Sequence, residues 1–74
     1  MTDTDMKFHL MDSKVGERGA FSTIEEAHRA LQTWIDLQRH AGEPVVQQKT
    51  GQWTDSRLSV WVTDPQQTIV RLDR

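Results

Sequence analysis

Only one stretch of this chain carries the 3.6-residue spacing of an amphipathic helix, and the segments around it alternate with a period of two. Across residues 22–41, Ile24, Ala27, Leu31, Trp34, Ile35, Gln38 and Ala41 fall in one arc, with Ala30 and Leu37 on its flank. Glu25, Arg29, Gln32, Thr33, Asp36, Arg39 and His40 fall on the far side. One helix covers one face of a sheet and no more. The predicted architecture is therefore α+β, with a single amphipathic helix on one face of a small, mostly antiparallel sheet of four or five strands, in the order β-(β)-α-β-β-β.

Local signals divide the chain. Ser22-Thr23-Ile24-Glu25 reads as a capping box, the Ser22 hydroxyl accepting from the Glu25 amide. Glu25 and Glu26 lie at the positive end of the helix dipole, Arg39 and His40 at its negative end, and Gly42 is placed to close the last turn. Ahead of the helix, residues 6–11 alternate, with Met6, Phe8 and Leu10 on one side and Lys7, His9 and Met11 on the other. Asp12-Ser13-Lys14 and residues 16–19 are turn material, and residues 19–21 form a short return strand. Beyond the helix, residues 45–49 read as a strand and Thr50-Gly51-Gln52 as a turn leading towards Trp53. Residues 57–63 give the clearest strand, and after Asp64-Pro65 residues 68–72 run back antiparallel. Residues 1–5 read as a disordered tail ahead of a single domain spanning residues 6–74.

Size and charge restrict the function classes. A chain of 74 residues and 8.6 kDa buries only roughly 60% of the surface that its unfolded form exposes, so its core is thin and a partner or a second copy would help it. It has no cysteine, which removes disulfide staples and thiolate metal sites. The acidic start Met1-Thr2-Asp3-Thr4-Asp5 lacks the form of a secretory signal, and no apolar run approaches the ~20 residues of a membrane span; the expected location is cytoplasmic, with no membrane contact. The formal charge is -2, with five Lys or Arg against seven acids in residues 1–42 and four against four in residues 43–74. That balance opposes phosphate-backbone binding, which depends on a basic stripe.

No catalytic residues, metal ligands or cofactor emerge. Gly16-Glu17-Arg18-Gly19 has the Gly-x-x-Gly spacing of some RNA-binding loops, yet it follows a strand and carries one charge of each sign, which suits a hairpin turn better. His9, His28 and His40 are not spaced as zinc ligands, although His40 and Asp36 share a helix face. Ser13, Ser22, Ser56 and Ser59 lack a nucleophile elbow, and Asp55 and Asp64 occupy turn positions where aspartate is expected.

The face of the sheet away from the helix is more informative. Trp61 alternates with Val60 and Val62, so it points away from the helix. If the last hairpin sets Val62 against Val70, Trp61 lies across from Arg71 with Ile69 and Arg57 nearby, an aromatic and cationic patch that Trp53 and Lys49 would extend. The alternative is an internal stack of Trp61 on Arg71, or a covering of it by the N-terminal segment. Trp34 belongs to the core, while Trp53 is either a lid on the core edge or an exposed anchor. The expected function is a small non-enzymatic protein-binding module, a regulator or inhibitor that occupies a surface of a larger protein, comparable in size and composition to antitoxin-like proteins and phage-encoded inhibitors. It is also open to pairing as a homodimer. The alternative is a nucleic-acid-binding sheet using the Trp, Arg and Lys patch.

Overall fold

In the computed structural model, which describes residues 7–72, the chain runs β1 (Phe8–Asp12), β2 (Gly16–Phe21), α1 (Ile24–His40), β3 (Val46–Gln47), β4 (Trp53–Thr54), β5 (Ser59–Thr63) and β6 (Ile69–Val70). The tail expected at residues 1–5, and Met6 as the start of the first strand, lie outside the described residues. The fold is α+β, one helix packed on an antiparallel sheet in the order β2-β1-β5-β4-β3, with β6 also paired to β5. It has one strand more than expected, because Trp53 and Thr54 pair with both Gln47 and Val46 and with Val60 and Ser59. No helix among the described residues is long and apolar enough to cross a membrane.

Aspartates head three of the hairpin turns, and each spends its carboxylate on backbone amides. Asp12 Oδ1 accepts from the amides of Lys14 and Val15, at 2.8 and 2.6 Å. Asp55 Oδ1 accepts from Arg57 and Leu58, and Asp64 Oδ1 from Gln66 and Thr68. These side-chain turns move two strand boundaries. The first turn is completed at Ser13-Lys14-Val15, so β2 begins at Gly16, where turn residues were expected, and takes up its extra residue as a bulge against Leu10 and Met11. Likewise the amides of Arg57 and Leu58 are engaged by Asp55, and β5 starts at Ser59 instead of residue 57.

Helix α1 begins one residue later than the sequence suggests. Thr23 is the N-cap, its Oγ1 accepting from the Glu26 amide, while the Glu26 carboxylate accepts from the amide of Ser22. Ser22-Thr23-Ile24-Glu25-Glu26 contains two overlapping box patterns, and the one used puts Ile24 half-buried in the first turn and Ala27 fully inside. At the other end, the amide of Gly42 donates to the Arg39 carbonyl and that of Glu43 to Gln38. This Schellman closure needs the left-handed backbone that Gly42 adopts at φ 88°.

Ala27, Leu31, Trp34 and Ile35 form the buried stripe of α1, meeting Leu10, Val45, Trp53, Val60 and Val62 from the sheet. The helix lies across β1, β2 and β5. Leu37, on the flank of the predicted arc, is 61% exposed. Strand β5 is the axis of the sheet, with β1 along one edge over residues 60–63 and the other edge divided between β4, at Ser59 and Val60, and β6, at Val62 and Thr63.

Candidate partner-binding face

Strand alternation decides which β5 side chains reach the second face. Val60 and Val62 are fully buried under α1, so Trp61 and Thr63 project from the opposite side. There Met11 of β1 stands directly across from Trp61, His9 across from Thr63, and Glu17 of β2 across from Met11. The single helix lies on the other face and the strands all belong to the sheet, so among the described residues no regular element covers this side.

His9, Met11, Glu17, Trp61, Thr63 and Gln67 line a concavity of about 320 Å³ on this face. Trp61 and Met11 are half-buried in its floor. His9 Nδ1 lies 3.3 Å from Glu17 Oε1 without an aligned hydrogen bond, and the Glu17 side chain is 53% exposed. Gln67 closes one rim. The Asp64 turn, in which the Gln67 amide donates to the Asp64 carbonyl, holds Gln67 at φ 67°, in the left-handed region that residues with a Cβ rarely enter.

The residues expected around Trp61 separate into different places. The register of the last hairpin is as anticipated at Val62 against Val70, but β6 ends there. Arg71 does not continue the ladder to face Trp61. Its Nη1 donates instead to the Lys49 carbonyl at 2.9 Å, and its stem and Ile69 close over Gly51. The physical reason is competition for an edge. Strand β4 already pairs with Val60, so the chain after Val70 leaves β5 and runs beside the β3–β4 hairpin, where Gln47 Nε2 donates to the Leu72 carbonyl. Lys49, Ile69 and Arg71 thus gather at this hairpin.

Arg57 lies in the β4–β5 turn and lines another concavity together with Lys14, Arg18, Trp34, Leu37 and Asp55, where the sheet meets the helix. Trp53 is a lid and not an anchor: it is 6% exposed, part of the core, and covered by Arg39, whose Cζ is 6.0 Å from its ring centre. Of the six residues in the expected patch, Trp61 alone lines this concavity. The sequence does not single out the residues that line it with Trp61, namely His9, Met11, Glu17, Thr63 and Gln67. The outward alternation of His9 and Met11 was visible, but the adjacency of β1 to β5, across some fifty residues of chain, left no local trace.

Two carboxylates near the helix-side concavity are buried, and both are held below the usual aspartate range. For Asp12 the largest cause is the hydrogen bond from the Val15 amide, opposed by burial and reinforced by the Lys14 amide and by Arg18, whose Nη1 is 3.2 Å away. For Asp55 the Arg57 amide leads, burial opposes it, and the Leu58 amide and the charges of Arg57 and Lys14 add to it. Through these amide hydrogen bonds both carboxylates hold the backbone of their turns. Among the described residues, no three His, Cys, Asp or Glu are grouped as metal ligands. Comparison with protein-family models, with curated proteins and with solved structures returns no match to this chain.

Proposed function

We propose that this chain is a non-enzymatic protein-binding module, a regulator or inhibitor that acts by applying the Trp61 face of its sheet to a larger protein. The observation that carries this reading is the unshared side of the sheet: Trp61, paired across the strand with Met11, lies at its centre with no regular element over it among the described residues. A large rigid indole beside a polarizable thioether, rimmed by polar groups, is the make-up of an interface anchor. A core of nine buried apolar residues among those described adds a second motive, because a domain this thin is stabilised by covering a further face.

The geometry weakens the nucleic-acid reading, which needed cations beside the indole. No lysine or arginine is among the described residues lining the Trp61 concavity, and Glu17 is. The test is the affinity of a Trp61→Ala variant, its fold verified by circular dichroism, for a partner captured from the native host. Loss of binding is expected, and unchanged affinity would remove the proposal. Titration with single-stranded DNA, duplex DNA and RNA at two salt concentrations provides the contrary outcome: tight binding that falls steeply with salt would replace a protein partner with a nucleic acid.

A further inference from the structure

We infer that the concavity beside Trp61 receives a basic side chain of the partner, an arginine or a lysine, stacked on the indole and paired with Glu17. This rests on the Trp61 face being the docking surface and adds the chemistry of what docks. Glu17, Met11 and Trp61 occupy facing positions on β2, β1 and β5, so a carboxylate, a thioether and an indole stand in a row across three neighbouring strands. Adjacent strands are about 4.8 Å apart, which separates the backbones of Glu17 and Trp61 by roughly 10 Å. A cation within about 6 Å of the indole centre therefore lies within reach of the Glu17 carboxylate.

Charge and size favour that occupant. The Glu17 side chain is about half exposed, and its ion contact inside the chain is with His9, not with a permanent cation. Arg18, its neighbour in sequence, turns to the other side of the sheet and pairs with buried Asp12, and Arg71 is committed to the Lys49 carbonyl. A concavity of about 320 Å³ is at the small end for a ligand site and has room for one long side chain. Gln67, exposed, and Thr63, buried, complete the lining with neutral polar side chains and, among the described residues, no competing cation. Gln67 is held at this rim by a backbone conformation that a non-glycine residue adopts at a cost, as residues at binding sites often do. An acidic or phosphorylated partner would meet Glu17 and be repelled.

The deciding experiment is a nuclear magnetic resonance titration of the 15N-labelled chain with the blocked tripeptide Ala-Arg-Ala and, as a neutral control, Ala-Gln-Ala. Saturable shifts at the Trp61 indole and the Thr63 and Gln67 amides with the arginine peptide alone are expected, with affinity falling ~5-fold or more in Glu17→Gln. Equal response to the glutamine peptide, an unaltered affinity in Glu17→Gln, or no shift at Trp61 would overturn the inference. Capture of the native partner separates this result from the broader proposal. Loss of capture with Trp61→Ala but not with Glu17→Gln keeps the docking face and discards the basic side chain, whereas no loss with either discards both.

Discussion

An aspartate that ties down two backbone amides at the head of a turn stabilises the fold through its charge, so its contribution depends on pH. Asp12 and Asp55 both have folded-state pKa values below the ordinary 3.8, with an amide hydrogen bond as the leading cause in each. A depressed pKa means that the unfolded chain binds protons more readily, so the stability from these groups is complete above about pH 5 and is lost as pH falls through the lowered folded values. Urea denaturation across pH 2–7 checks this: the midpoint is expected to fall on acidification, and less so in Asp55→Asn. At neutral pH, Asp55→Ala strands the amides of Arg57 and Leu58 and should cost about 2 kcal/mol, with Asp55→Asn, which keeps an acceptor, costing less. The helix cap makes an equally local test. Thr23→Ala removes the hydroxyl that accepts from the Glu26 amide and should cost about 1 kcal/mol, whereas Ser22→Ala, which leaves its amide bond to Glu26 intact, should be nearly neutral by thermal melting.

Between elements, the critical meeting place is the edge of β5 that β4 and β6 divide. Gly51 sits there at φ 100°, and a Cβ on it would lie 3.0 Å from Arg71 Cγ and 3.1 Å from Ile69 Cγ2. Gly51→Ala combines backbone strain with that crowding and should cost about 1–3 kcal/mol, measured by chemical denaturation, with amide shifts concentrated at Ile69 and Arg71. The same place shows where sequence stops being informative. Helix α1, the inward set Val60 and Val62, and the Val62–Val70 register follow from periodicity and turn chemistry, because each depends on residues close together in the chain. The division of an edge between two strands is a non-local competition, and neither Trp53 nor Arg71 carries a local mark of which one wins. Alternation alone therefore puts Trp61 on the face away from Val60 and Val62, whereas the positions of Arg57 and Arg71 depend on that competition. The helix cap differs by one residue for a simpler reason: Ser22 and Thr23 are both competent caps with a glutamate three residues on, and the chain uses Thr23.

At the scale of the whole fold, helix α1 buries one side of a sheet whose other side holds an indole, a thioether and an exposed carboxylate. A small core leaves little reserve: Ile35→Ala, at a fully buried site on α1, should cost about 2–5 kcal/mol and leave much of the chain unfolded in a thermal melt. Trp61→Ala should do far less harm to folding, since its neighbours lie on the side away from that core. The three tryptophans make the asymmetry of the sheet directly observable. Trp34 and Trp53 are core residues, each 6% exposed, and Trp61 is half-buried on the face that no regular element among the described residues covers. Adding a soluble paramagnetic agent and comparing the attenuation of the three sets of indole ring signals measures that difference. Strong attenuation at Trp61 with Trp34 and Trp53 protected is the expected result; a Trp61 as protected as the other two would contradict an open second face.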